Sequence, residues 1–151
     1  MLDIVLVQPE IPQNTGNIGR TCVITGCRLH LVGPLGFSVS DTALKRAGLD
    51  YWPDLDVSIY TGWDEFWSQH QHRQIWCMTT KGTRRHVDVA WPRETMMLFG
   101  RETAGLPPEI RALGENIRLP MGPKYRSYNL SNSVAVAIFE YLRQWDFPGL
   151  V

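Results

Sequence analysis

An excess of charge of either sign is the first thing this sequence lacks. Fifteen Lys and Arg balance fifteen Asp and Glu, so no large nonspecific electrostatic grip on nucleic acid is expected. Local basic patches stay open, and a dimer would combine them. Cysteine is scarce. Cys22, Cys27 and Cys77 are too few and too oddly spaced for a disulfide framework, and each sits in an apolar stretch, which reads as a buried reduced thiol. No apolar run approaches the length of a membrane span. The opening run lacks a signal-peptide pattern, because Asp3 interrupts it at once and Pro9 ends it. The expectation is a soluble, cytoplasmic protein. Neither the dinucleotide fingerprint nor the Walker A phosphate loop is present. His70-Gln71-His72 has no third ligand at a workable spacing, so a solvated helix end is expected there and no metal.

What is there suffices for one domain over residues 1–151. The apolar share of 44% supports a packed core and argues against disorder. Short apolar runs at Leu2 to Val7, Arg28 to Val32, Val57 to Tyr60, Ile75 to Thr79, Thr95 to Phe99 and Asn116 to Leu119 read as strands. Helices are expected over Asn17 to Thr25, with Gly26 as the stop, over Thr42 to Ala47, through Trp63, Phe66 and Trp67, near Glu109 to Leu113 after Pro107-Pro108, and along the C-terminal stretch. Strands alternate with helices. The fold class is therefore α/β, with a mostly parallel sheet flanked by helices.

In open α/β sheets, ligands bind beyond the carboxyl ends of strands. Four such loops are rich in Gly, Pro and polar residues: Gln8 to Arg20, Thr79 to Arg85, Phe99 to Pro107, and Leu119 to Ser127. Gly lets backbone approach a ligand closely, although tight turns alone would also use it. The stretch Tyr125-Arg126-Ser127-Tyr128-Asn129-Leu130-Ser131-Asn132-Ser133 opens the last helix with more capping groups than one helix end can use. The surplus suggests that something besides the helix needs hydrogen bonds there.

Taken in order, Asn14-Thr15-Gly16-Asn17-Ile18-Gly19-Arg20, then Phe99-Gly100-Arg101-Glu102-Thr103-Ala104-Gly105-Leu106-Pro107, then Ile117-Arg118-Leu119-Pro120-Met121 with Ser127-Tyr128-Asn129-Leu130-Ser131-Asn132-Ser133, resemble the three motifs of the SPOUT RNA methyltransferases over nearly the whole chain. The likeness is greatest to the small TrmL (YibK-like) group, which consists of the catalytic domain alone. The resemblance implies a deep C-terminal trefoil knot, a site for S-adenosyl-L-methionine within it, and a homodimer. It also implies 2′-O-methylation of the wobble nucleotide, position 34, in the anticodon loop of leucine tRNAs, either a cytidine or a modified uridine. Arg101 and Tyr128 depart from what many relatives carry at these positions, and both flank the implied pocket.

By the same resemblance, Met78, Gly100, Leu119 and Ser127 line the cofactor pocket. Met78 and Leu119 offer apolar contact, Gly100 close backbone approach and Ser127 a hydroxyl; strand core is the plain alternative for Met78 and Leu119. Arg20 carries the catalytic role. A guanidinium is very hard to deprotonate, so orienting a phosphate and stabilising alkoxide charge fits it better than acting as base; a surface salt bridge to Glu10 or Glu102 is the alternative. Asn14, Ser131 and Asn132 hold Arg20 or the ribose, or else shape an Asx turn and a helix start. Glu102 is expected on a backbone N–H or an Arg. Lys81, Arg84, Arg85 and His86, aided by Lys124 and Arg126, are expected on tRNA phosphates, or as a solvated loop. The tryptophans are assigned to core or dimer contact. A non-catalytic RNA-binding protein that retains the cofactor site, and a small-nucleotide-binding regulatory domain, are the rival functions.

Overall fold

The computed structural model describes residues 1–40, 46 and 49–151. The short helix expected over Thr42 to Ala47 lies, but for Arg46, outside the described residues. The strands are β1 (Leu2–Val7), β2 (Arg28–Val32), β3 (Val57–Tyr60), β4 (Trp76–Met78), β5 (Arg84–Arg85), β6 (Thr95–Phe99) and β7 (Glu115–Arg118). They form one sheet in the order β3-β2-β1-β6-β4-β7-β5, and every pairing is parallel. The helices used below are α1 (Pro12–Thr25), α2 (Trp63–His70), α3 (Pro108–Arg111) and α4 (Leu130–Gln144).

The strands read as unbroken apolar runs because both faces of the sheet are covered. Side chains alternate across a strand, and the core divides accordingly. Ile4, Leu6, Leu29, Leu31, Trp76, Met78, Met97 and Phe99 pack with Ile18 and Cys22 of α1 and with Val134, Ile138 and Tyr141 of α4. On the other face, Val5, Val7, Val32, Cys77, Met96 and Leu98 pack with Phe66 of α2 and Ile110 of α3. Each such side chain contributes about 1.5–3 kcal/mol when removed from water. The three cysteines are free and buried.

Beyond shifts of one or two residues at element ends, three features differ from the sequence reading. Helix α1 starts at Pro12, five residues before Asn17, and so absorbs most of the first Gly-rich loop; Pro is suited to a first helical turn, whose N–H groups have no helical partner. Helix α4 starts at Leu130, and residues 125–129 are not helical, because the Asn129 side chain accepts from the N–H groups of Ser131 and Asn132 and so caps the helix. Arg84–Arg85, expected in a loop, is a two-residue edge strand on β7.

The α2 face carries one buried polar network. The Asp3 carboxylate, fully buried, lies 2.9 Å from His30 Nε2 and accepts from Arg73 Nη2 at 2.8 Å. His30 Nδ1 meets the Tyr60 hydroxyl at 2.9 Å, which in turn lies 3.1 Å from His70 Nε2. His70, read from sequence as a solvated helix end, thus belongs to this network. Burial opposes the Asp3 charge, but the hydrogen bonds from His30 and Arg73 and the charges of Arg73 and Arg28 outweigh it and hold the carboxyl at about 2. A carboxyl depressed from 3.8 to about 2 contributes about 2 kcal/mol of stability above pH 4. That contribution fades as pH falls through the interval from 4 to 2. Thermal unfolding against pH checks this: Asp3→Asn should lower Tm near neutrality, and the gap to wild type should narrow below pH 3. A gap that stays constant with pH would contradict the assignment.

Candidate functional site

A cavity of about 490 Å³ opens where the carboxyl ends of β4, β6 and β7 meet the loop after β1. Met78 and Thr79 at the end of β4, Phe99 and Gly100 at the end of β6, and Leu119 and Met121 after β7 form its floor and walls. Ser127, Tyr128 and Asn129 close it from the segment leading into α4, and Ile11 and Asn14 from the start of α1. Four of the residues singled out from sequence for a cofactor, Met78, Gly100, Leu119 and Ser127, thus face one space, and Asn14 joins them.

The loop from Gly100 to Leu106 is folded tightly on itself. Arg101 and Gly105 exchange backbone hydrogen bonds of 3.3 and 2.8 Å, and Gly105 adopts a left-handed φ of 67°, which favours glycine. Gly100 is needed for a different reason. A Cβ there would run into the backbone of Gly105 and Leu106. The close packing of backbone on backbone at Gly100 thus fixes the shape of the cavity wall that Gly100 to Leu106 form.

Glu102 fastens this loop to α1. Its carboxylate accepts from the N–H groups of Glu10 at 2.8 Å and Ile11 at 3.1 Å and from Asn14 Nδ2 at 3.3 Å. It binds the N–H of Ile11, the N-cap residue of α1, and that of Glu10 just before it, at a helix start that has no capping side chain of its own. Glu10 returns the contact, accepting from Thr103 Oγ1 at 2.7 Å and Thr103 N at 3.1 Å. Those two bonds, with the nearby Arg101 charge, hold the Glu10 carboxyl below its ordinary range. Glu102 is thus on backbone N–H groups, as expected.

Asn14 completes the junction. Its Oδ1 accepts from Asn129 Nδ2 at 3.0 Å, while its Nδ2 points at Glu102. Asn129 Oδ1 accepts from Ser131 N at 2.9 Å, Ser131 Oγ at 2.7 Å and Asn132 N at 3.3 Å. The surplus of polar groups at this helix start is used in part on the helix itself and in part, through Asn129, on α1. Asn129 was read from sequence only as part of a motif. Its role as the link could have been suspected from its place just before a helix that has Ser at its second position.

Arg20, Ser131 and Asn132 do not line the cavity of the single chain. Arg20 lies six residues beyond Asn14, about 9 Å further along the helix axis, and is exposed. It pairs with neither Glu10 nor Glu102. Its guanidinium lies 4.8 Å from the Tyr51 ring centroid and donates to the Tyr51 hydroxyl at 3.2 Å. The basic segment is largely committed elsewhere. Arg85 makes a bidentate pair with Asp88, Arg84 reaches Glu115 and the Asp88 carbonyl, and His86 is buried. Lys81 lines the cavity with Arg101, Arg111 and Arg126. No group of three or more His, Cys, Asp or Glu suited to a metal occurs among the described residues.

The model of the SpoU rRNA Methylase family matches residues 1–139. A tRNA (cytidine(34)-2′-O)-methyltransferase of Methylovorus glucosotrophus is 51% identical, with all of both chains covered. A solved structure described as giving structural insights into the 2-OH methylation of C/U34 on tRNA superposes with a TM-score of 0.93 at 39% identity, covering 97% of each chain. The SpoU methyltransferase AviRb from Streptomyces viridochromogenes, in complex with AdoMet, shares the fold with a TM-score of 0.88 at 23% identity, covering 97% of this chain and 58% of that one.

The two loop glycines separate by experiment. Gly100→Ala forces its Cβ onto backbone and should destabilise by about 1–3 kcal/mol. Gly105→Ala meets open space and costs only the left-handed conformation, about 1 kcal/mol. Thermal unfolding of the two variants should rank Gly100→Ala as the worse. Equal, small losses would mean that the loop opens freely and does not set the cavity wall.

Proposed function

We propose that this chain, which belongs to the SpoU rRNA Methylase family, transfers a methyl group from S-adenosyl-L-methionine to the 2′-hydroxyl of nucleotide 34 of tRNA. Cytidine or a modified uridine of leucine isoacceptors is the substrate. The observation that carries the reading is the cavity built from three distant loops, in a chain 51% identical over its full length to a tRNA (cytidine(34)-2′-O)-methyltransferase.

The cavity suits the cofactor. Met78, Phe99 and Leu119 give apolar walls for an adenine, the Gly100–Leu106 loop, packed on its own backbone at Gly100, forms a further wall, and Thr79 and Ser127 offer hydroxyls. Bound there, the cofactor supplies an electrophilic methyl group on a sulfonium. The chain's own task is to bring the ribose oxygen in line with it and to balance charge as the hydroxyl gives up its proton. Asn14, fixed by Glu102 and Asn129, is the polar group best held at the cavity edge. Arg20 is the cation assigned to the target phosphate and the developing alkoxide, and Ser131 and Asn132, in the first turn of α4, are assigned to the ribose. Lys81, Lys124 and Arg126 take over the phosphate contacts for which Arg84 and Arg85 are already paired.

Arg20 also bears on assembly. Gln13, Asn17, Arg20 and Ile24 form an exposed stripe at helical spacing on α1, and Asn132, Val136, Phe139 and Arg143 form another on α4, which packs against α1. Ile24, Val136 and Phe139 are large and about half exposed. A second copy of the chain covering both stripes accounts for this apolar surface and puts Arg20 at the subunit boundary, so that tRNA is held across two subunits. The trefoil knot belongs to the same reading. It is supported by β6 and β7, which each enter between strands already in place, and by the return of the chain after β7 to the loop of β1 through Asn129 and Asn14.

Purified protein, S-adenosyl-L-methionine and total tRNA from a strain lacking this activity provide the test, with 2′-O-methyl located by mass spectrometry. Methyl is expected at position 34. Arg20→Lys should reduce the rate by at least tenfold, because an ammonium cannot make the bidentate contact. Binding of the cofactor without any methylated product would leave the non-catalytic RNA-binding reading instead.

A further inference from the structure

Tyr125 is the most exposed aromatic side chain among the described residues, with 77% of its surface open to water. A ring in that position adds little to the fold. It is nevertheless set in place. Tyr125 N donates to Gly122 O at 3.2 Å, closing a turn, and the ring edge lies against Gly122, 3.5 Å from where a Cβ would stand. Lys124 and Arg126 flank it, and neither has a carboxylate partner among the described residues. The next residues, Arg126, Ser127 and Tyr128, line the cavity, so Tyr125 stands at its rim. Tyr128 differs from it, because its hydroxyl donates to Pro120 O at 2.8 Å and fixes its ring as cavity wall.

We propose that Tyr125 is a stacking platform for the anticodon-loop base next to the methylated nucleotide, with Lys124 and Arg126 on the adjoining phosphates. A free aromatic face between unpaired cations is what an unstacked RNA base and its backbone require. The proposal rests on the reading of the cavity given above and adds the contact that sets the loop's register on the rim. Stacking tolerates any base, so the contact positions the strand without fixing its sequence.

The test uses full-length protein with S-adenosylhomocysteine present and an anticodon stem-loop carrying 2-aminopurine beside position 34. Wild type and Tyr125→Phe should bind the stem-loop and quench the probe. Tyr125→Ala should bind about 10-fold more weakly or worse and lose the quench, with Tm, S-adenosylhomocysteine affinity and the sedimentation coefficient unchanged. Wild-type affinity and quench in Tyr125→Ala would overturn the proposal. So would an equal loss in Tyr125→Phe, which would assign the effect to the hydroxyl, or an altered cofactor affinity or subunit association in Tyr125→Ala. Quenching by a wild-type protein that transfers no methyl would leave the contact standing and remove the enzymatic reading. Absence of quenching in an active enzyme would do the reverse.

Discussion

One side-chain amide holds the site together. Asn14 donates to Glu102, 88 residues away in sequence, and accepts from Asn129, 115 residues away. Its side chain is buried, and buried amides left without partners cost about 1–3 kcal/mol each. Both bonds must therefore form together, and that requires the loops after β1 and β6 and the segment before α4 to meet. The cavity is the space left between them.

The surrounding contacts reinforce that meeting. Glu102 supplies the helix start that α1 lacks, and Glu10 holds Thr103 in return. The two carboxylates act as clasps rather than as proton acceptors. With Glu102 turned onto α1, the cavity carries four cations, Lys81, Arg101, Arg111 and Arg126, a local basic surface on a chain with no net charge. Affinity for an RNA then arises from where the cations stand, not from an overall excess of them.

Most of the sheet was legible in the sequence because a parallel strand covered on both faces leaves an uninterrupted apolar run, as in Leu2–Val7 and Thr95–Phe99. The start of α1 was not. Pro12 and Gly16 argue for a loop by propensity, but Pro12 takes the first helical turn, where its missing N–H costs nothing, and Gly16 is buried, so packing selects a small residue inside a helix. Strand β5 was invisible because two exposed arginines carry no alternation. At the site, the motifs marked the loops that converge, and Met78, Gly100, Leu119 and Ser127 do share one cavity. What no spacing rule conveys is the pairing within it. Arg20 stands outside the lining, its partner Tyr51 bore no sequence signal, and Arg84 is occupied by Glu115, an acid that only the fold brings near, while Arg85 pairs with its near neighbour Asp88.

Asn14 and Asn129 act as one unit in forming the cavity proposed for the cofactor. A double-mutant cycle read by calorimetry with S-adenosylhomocysteine tests it directly. Asn14→Ala and Asn129→Ala should each weaken binding, and the double variant should be little worse than either, a coupling of about 1 kcal/mol or more. Losses that simply add, or an Asn14→Ala variant that binds with wild-type affinity, would contradict the account.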